Sequence, residues 1–210
     1  MRRKEAIATI LVTTVLVFLA SGRWIWAQTD DSSKSIEEVA RTLAEQSKAI
    51  AVPFLKGKAK RKIEKDERTY ALPYGESPAA LFKLPDYTSP YTLKVTSLCN
   101  CVGFRKSMLV PSGLFLDADF KQTRKFEEAD LKTNQPGFKK GMNAGASFDI
   151  NETRKSDRYL LIYTRADLLG QTADKLNAPG LGGVLFGGAM RVSRSANGTL
   201  ELEAAVEKKK

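Results

Sequence analysis

Apolar and polar residues alternate through the middle of the chain, which is the pattern of a half-buried β-strand. From Pro90 to Leu98 the apolar Tyr91, Leu93 and Val95 alternate with two threonines and a lysine. Side chains of a strand point to opposite faces with a period of two, so this pattern separates an inner from an outer set. It predicts an antiparallel strand with one face on the core and the other in solvent.

Similar short segments recur along the chain, and prolines and glycines separate them. They lie at residues 80–84, 113–116, 146–150 and 190–192. The segment Tyr159 to Tyr163 (YLLIY) is apolar at every position, which predicts a central strand covered on both sides. Short strands spaced by turn signals favour a mainly β fold, an antiparallel β-sandwich of jelly-roll type.

Two helices are predicted beside the strands. Residues 35–50 place Ile36, Val39, Leu43 and Ile50 on one helical stripe, and Ser35 with Glu38 forms a capping-box pattern before it. The second helix is expected at residues 165–176, where three leucines could cover one end of a sheet.

The last strands are predicted to form a hairpin around a three-residue loop at 196–198. With Gly198 at positive φ, that loop pairs Val192 with Leu202 inside, and Arg191 with Glu203 outside. A two-residue loop would mix apolar and polar side chains on each face, so we expect the longer loop.

The beginning of the chain has the layout of a secretory signal peptide at residues 1–27. Three basic residues precede fifteen uncharged residues, 6–20. That apolar run is shorter than the roughly 20 residues of a membrane-spanning helix. Cleavage is predicted after Ala27 or after Gly22. The alternative is an uncleaved anchor held at the membrane, since Trp24 and Trp26 suit a membrane interface.

Behind the leader we predict a polar segment at 28–68 and a β-sandwich domain at 69–210. Removal of residues 1–27 reduces 34 basic and 24 acidic residues to 30 and 23, so the net charge falls from +10 to +7. The positive balance predicts neutral or anionic partners.

Residues 56–68 are strongly basic and are predicted to form an exposed connector. One interpretation is a site for an anionic polymer, and the other is a solvated linker. Nucleic acid is not an expected partner outside the cytoplasm. The candidate polyanion-binding residues are Lys56, Lys58, Lys60, Arg61 and Lys62.

Cys99 and Cys101 are the two cysteines of the chain. In an oxidising compartment they predict a disulfide, which would act as a local clamp because the ring it closes is small. Two reduced thiols are the second interpretation. A metal site is the third, because two thiolates fill only half of a zinc shell.

The chain has no histidine, which excludes Ser-His-Asp and Cys-His mechanisms. Asp117 and Asp119 could serve calcium or glycoside chemistry, or they could form a solvated turn. The glycine-rich residues 180–188 lack the ending of a phosphate-binding loop. These observations predict a non-enzymatic protein without cofactor or metal.

Four stretches together resemble the maltose-operon periplasmic protein family. They are YTLKVTS (91–97), VPSGLFLDADF (110–120), RYLLIYTRADLLGQT (158–172) and ANGTLELE (196–203). The resemblance runs from about Ser35 to Val206. It implies a bacterial periplasmic protein associated with maltose and maltodextrin uptake, and it carries no catalytic residue to this chain.

We therefore expect an accessory protein of carbohydrate uptake that binds oligosaccharide or a transport component. Sugar sites commonly combine an aromatic platform with polar hydrogen-bonding groups. The candidate residues are Tyr70, Tyr74, Tyr87 and Phe120. The alternative is a basic protein that binds anionic envelope polymers or lipid headgroups, and the sequence does not define an oligomeric state.

Overall fold

The structure is a computed structural model that describes residues 36–46, 48–100, 107–134, 143–172 and 192–206. Within these ranges one α-helix, α1, covers residues 36–45. The strands are β1 (Ile50–Ala51), β2 (Ala59–Ile63), β3 (Thr69–Leu72), β4 (Gly75–Lys83), β5 (Tyr91–Leu98), β6 (Ser107–Leu109), β7 (Pro111–Leu116), β8 (Gln122–Phe126), β9 (Lys132–Asn134), β10 (Asn143–Ile150), β11 (Tyr159–Thr164), β12 (Ser193–Ser195) and β13 (Gly198–Val206). The signal peptide predicted at 1–27 and the glycine-rich residues 180–188 lie outside the described residues.

The strands form two main sheets and one short pair. Sheet A has the order β1-β4-β11-β7-β8, with β3 paired to β4, and sheet B has the order β2-β13-β5-β10-β9. Strands β6 and β12 form the short parallel pair. Nearly all neighbours within sheets A and B are antiparallel, and the parallel exception is β1 on β4. The predicted mainly β sandwich is confirmed.

The two sheets pack face to face around one apolar core. Sheet A contributes Phe82, Phe115 and Leu160, and sheet B contributes Leu93 and Leu202. Each of these side chains is fully buried. The alternation predicted for β5 is confirmed, because its inner set lies in this core while its outer set stays partly or fully exposed. The core therefore fixes which side chains of sheet B face outwards.

Strand β11 is covered on both sides, as its continuous apolar sequence predicts. Leu160 and Ile162 lie in the core between the sheets. Leu161 and Tyr163 lie on the outer face of sheet A, in a second apolar cluster. Helix α1 supplies the other half of that cluster; its buried residues are Ile36, Val39, Ala40 and Leu43. The predicted amphipathic stripe is thus confirmed along the helix, whereas Ile50 belongs to strand β1.

The basic segment 56–68 differs from the exposed connector that the sequence predicts, because it contains β2. This strand pairs with β13 and forms one edge of sheet B. Its end residues Ala59 and Ile63 are buried in the sandwich core, while Lys60 and Lys62 point outwards. The basic strand is thus held in the sheet by two buried apolar residues four positions apart and by its pairing with β13.

The helix predicted at 165–176 is wrong over its described part. A single 3-10 turn covers Ala166–Leu168, and the chain is extended again at Leu169. Gly170 follows with a φ of +76°. Its N–H donates to Arg194 O, and Arg194 N–H donates to Gln171 O. The N–H of Gly170 and the carbonyl of Gln171 are therefore bonded to Arg194 and do not continue a helix.

The predicted hairpin around residues 196–198 is also wrong. Strand β12, before the loop, pairs with β6, whereas β13, after it, lies between β2 and β5. Leu202 consequently lies opposite Val95 instead of Val192. Gly198 does not have the predicted positive φ. A Cβ atom there would lie 2.7 Å from Leu109 Cβ, so close packing is what requires glycine.

Candidate functional site

A cleft of about 330 Å³ lies on the outer face of sheet B. Three neighbouring strands, β9, β10 and β5, form it together with the 3-10 turn Glu128–Asp130. Its lining residues are Lys94, Val95, Thr96, Asp130, Lys132, Gly145, Ala146 and Ser147. Two hydroxyls, two ammonium groups and one carboxylate share the lining with apolar surface, so the cleft suits a ligand that has both hydrogen-bonding groups and apolar faces.

The outward side chains of β5 and β10 reach the cleft because their inward neighbours hold the strands in place. Lys94 and Thr96 flank the fully buried Val95, and Gly145 and Ser147 flank the buried Ala146. The register pairs Lys94 with Ser147 and Thr96 with Gly145. The alternation that builds the core therefore also builds the floor of the cleft.

Gly145 leaves the floor of the cleft without a side chain at its position. A Cβ atom at this position would lie 2.7 Å from the carbonyl oxygen of Val95 and 3.5 Å from Thr96 Oγ1. The first contact is with backbone, which cannot move aside as a flexible side chain can. Glycine in a strand interior often marks such a close approach. The missing side chain leaves the space between Thr96 and Lys132, which lie on either side of Gly145 in the sheet.

One wall of the cleft is set by the turn before β9. Asp130 Oδ2 accepts the N–H of Glu127 at 2.9 Å, which closes a capping box around the turn. Lys132 lies directly opposite Gly145 in the sheet. Asp130 and Lys132 are both exposed. A carboxylate and an ammonium group thus stand together at one side of the cleft.

Three of the four aromatic candidates lie around the cluster under α1, away from the cleft. These are Tyr70, Tyr74 and Phe120. The fourth, Tyr87, packs against the sandwich core. The structure therefore does not bring the four together, and their role in ligand binding stays a prediction.

Tyr74 takes part in a polar network of its own. Its hydroxyl donates to Glu127 Oε1 at 2.9 Å, and the Arg165 guanidinium lies 4.2 Å from the ring centre. The hydrogen bond to Glu127 raises the pKa of Tyr74, with burial as a smaller cause. The bonds from Lys125 and Tyr74 lower the pKa of Glu127. Arginine covers the ring, so Tyr74 is not an open platform for a sugar.

Phe120 and Tyr70 are covered in a similar way. Phe120 has a φ of +66° and stacks on Tyr159 with the ring centres 4.8 Å apart. Arg41 of α1 lies 5.5 Å from the centre of the Phe120 ring. Arg68 lies 5.3 Å from the Tyr70 ring. These rings help to fasten the helix and β3 to sheet A.

The candidate polyanion-binding residues are mostly paired with carboxylates. Lys58 and Lys60 share Glu201 at 3.1 and 3.7 Å. Arg61 pairs with Glu67, and Lys62 pairs with Glu64 at 2.8 Å. Lys56 is exposed. An anionic polymer would have to compete with these acidic groups, and the binding of a polyanion stays a prediction.

The remaining candidates are a turn and a cysteine pair. Asp117 Oδ1 accepts the N–H groups of Asp119 and Lys121, each at 2.9 Å, and this shapes the turn between β7 and β8. Within the described residues no group of three or more Cys, Asp or Glu side chains could hold a metal ion. Cys99 borders a small apolar cluster. Cys101 lies outside the described residues, so the disulfide stays a prediction.

Sequence reasoning missed the cleft. Its lining comes from three separated segments and contains no motif. The available signal was the outer set of β5 together with a glycine at a strand position of β10. Only the pairing of β5 with β10 shows that these residues adjoin.

Taken together, the fold and the cleft define a β-sandwich in which a helix covers one outer face and a cleft lies on the other. The family model "Maltose operon periplasmic protein precursor (MalM)" matches residues 74–203, more than half of the chain. The chain belongs to the maltose operon periplasmic protein family. No curated protein and no solved structure matches it. No helix among the described residues combines the length and apolar character needed to cross a membrane.

Proposed function

We propose that this protein is a non-enzymatic accessory protein of maltodextrin uptake and binds oligosaccharide in the cleft of sheet B. In this proposal the predicted signal peptide carries the chain to the periplasm, the compartment of its family. The observation that carries the proposal is the cleft of about 330 Å³, lined by hydroxyl, ammonium and carboxylate groups. The hydroxyl groups of a sugar both donate and accept hydrogen bonds, so they can pair with the hydroxyl, ammonium and carboxylate groups of the cleft.

The lining favours binding over catalysis. Glycoside hydrolysis uses a pair of carboxylates on either side of the bond that breaks. The cleft lining has one carboxylate, Asp130, and this group already accepts the N–H of Glu127. Hydrogen bonds to charged groups contribute about 1.5–3 kcal/mol each. A few bonds to Lys94, Lys132 and Asp130 would therefore support measurable binding without an aromatic platform.

The proposal is tested by isothermal titration calorimetry of the full chain with maltotriose. Thr96→Trp should fill the cleft and weaken binding by about tenfold or more, which corresponds to about 1.4 kcal/mol. The control is Thr92→Trp. Thr92 lies on the same face of the same strand, outside the cleft lining and about 13 Å away. It should retain the affinity of the unmodified chain.

Three results would contradict the proposal. The first is no heat with maltodextrins at any concentration. The second is an equal loss of affinity in Thr96→Trp and Thr92→Trp when both remain folded by circular dichroism. The third is binding of a sulfated polymer alone, lost with added salt, which would support an anionic envelope partner instead.

A further inference from the structure

The cleft is wider across the strands than along them. Three adjacent strands line it, but the strands β5 and β10 contribute only the three consecutive residues 94–96 and 145–147. Three residues of a strand extend over about 7 Å, whereas three strands at about 4.8 Å spacing extend over about 10 Å between their axes. The long axis of the cleft is therefore perpendicular to the strands.

One residue from each strand of sheet B forms a row that runs from the cleft to the far edge of the sheet. Thr96 lies opposite Glu201 on β13, and Glu201 lies opposite Lys60 on β2. At the other end Gly145 lies opposite Lys132. The five strands therefore carry one row from Lys132 to Lys60, which extends over about 19 Å. Each of its five residues is partly or fully exposed.

Charges of both signs are interspersed along this row and next to it. Lys58 and Lys60 both pair with Glu201, at 3.1 and 3.7 Å, and Lys94 lies opposite Glu203 in the adjacent row. An anionic chain laid across the sheet would meet these carboxylates and Asp130. A neutral chain can donate to the carboxylates and accept from the lysines. The row thus suits an uncharged polymer better than a polyanion.

We infer that the cleft is one end of a trough across the strands of sheet B, and that the trough binds a linear, neutral oligosaccharide of about four sugar units. The length follows because the five strands enclose four spacings of about 4.8 Å each, and a hexose ring with its glycosidic oxygen has a similar length. This inference rests on the proposed function, since it assumes that the cleft binds oligosaccharide. It adds the direction, length and charge of the ligand.

The test is a calorimetric series on the full chain with linear maltodextrins from maltose to maltoheptaose. Affinity should rise by about tenfold from maltose to about the tetrasaccharide, which spans the trough, and then level off. A cyclic dextrin should bind at least about tenfold more weakly than the linear chain with as many glucose units, because a ring cannot lie along a straight row.

Two variants of β2 locate the far end of the trough. Lys60→Gln should weaken binding of maltopentaose about threefold or more and leave maltose unchanged, because only the longer chain reaches β2. Lys62→Gln is the matched control, since Lys62 is equally exposed on the same face of β2 but pairs with Glu64, outside the row. It should leave the affinity for both sugars unchanged.

The outcomes separate this inference from the proposed function. If all the linear sugars bind with one affinity, or if the two lysine variants behave alike, the trough is overturned while sugar binding stands. Tighter binding of the cyclic dextrin would also overturn the trough. If no sugar binds, the proposed function itself fails.

Discussion

The two outer faces of the sandwich have opposite surfaces. The outer face of sheet A is apolar, and the buried residues of α1 share one cluster with Leu114, Leu161 and Tyr163 on it. The outer face of sheet B is polar, and Thr96 and Ser147 on it remain partly or fully exposed. One sheet therefore has two buried faces and the other has one.

This difference shows that the sequence of a strand determines whether its outer face is buried or is available to a ligand. In β11 every position from 160 to 164 is buried, so no side chain there is free for a ligand. In β5 the inner positions hold the core, and the outer positions can vary without disturbing it. Binding residues are therefore expected on the outer face of sheet B, and substitutions on the outer face of sheet A should change stability more than substitutions on the outer face of sheet B.

The largest effect should come from the covered face. Leu161→Ala removes a side chain that is fully buried between sheet A and α1. Such a substitution leaves a cavity and should lower the free energy of unfolding by about 2–5 kcal/mol. Urea denaturation followed by circular dichroism measures this as a lower midpoint with an unchanged slope. A loss below about 0.5 kcal/mol would mean that the helix does not cover this face.

An intermediate effect is expected on the inner side of sheet B at alkaline pH. Burial, and secondarily the Asp157 carboxylate, raises the pKa of Tyr91 from 10.0 to about 12. Between these values the folded state binds the proton more tightly than the unfolded state. Stability is therefore fully present below pH 10 and falls as pH rises towards 12, by about 1–2 kcal/mol for this group after screening by solvent.

Tyr91→Phe tests this prediction because it removes the titrating hydroxyl and keeps the ring. The variant should lose less stability than the unmodified chain when denaturation midpoints are compared at pH 8 and above pH 10. Its hydroxyl bond to Pro85 O is long, 3.4 Å, so the cost at neutral pH should stay near about 1 kcal/mol or less. Parallel alkaline losses in both proteins would show that Tyr91 does not contribute.

The smallest effect is expected on the open face. Lys94→Gln changes an exposed side chain opposite Glu203. Exposed charge pairs contribute about 0–1 kcal/mol, so the midpoint of urea denaturation should hardly move. The affinity for maltotriose should nevertheless fall, because Lys94 lines the cleft. A large loss of stability with unchanged affinity would reverse the roles assigned to the two faces.

Periodicity predicts the parts of the fold in which local pattern and burial agree. It identifies β5 and β11 and the apolar stripe of α1, because each repeats a regular pattern over several residues. It fails at 165–172 and at Gly198, where contacts with Arg194 and Leu109 determine the backbone. Those contacts join segments that are distant in the sequence, so no local pattern reveals them.

The candidate site was harder to predict than the fold. Aromatic residues such as Tyr74 and Phe120 are common in sugar sites, but arginine contacts and ring stacking occupy them here. The cleft depends instead on Thr96 and Gly145, which resemble ordinary strand residues in the sequence. Their importance follows only from the register of β5 and β10.

The position of α1 has a consequence for how the protein reaches its native state. The helix packs in one apolar cluster with Leu161, which follows it by more than half of the chain. Contacts of such long sequence separation form slowly. Until these contacts form, the apolar faces of the helix and of sheet A are exposed, and each can associate with another unfolded chain. We therefore expect the nascent chain to aggregate readily unless a chaperone shields it, however stable the finished sandwich is.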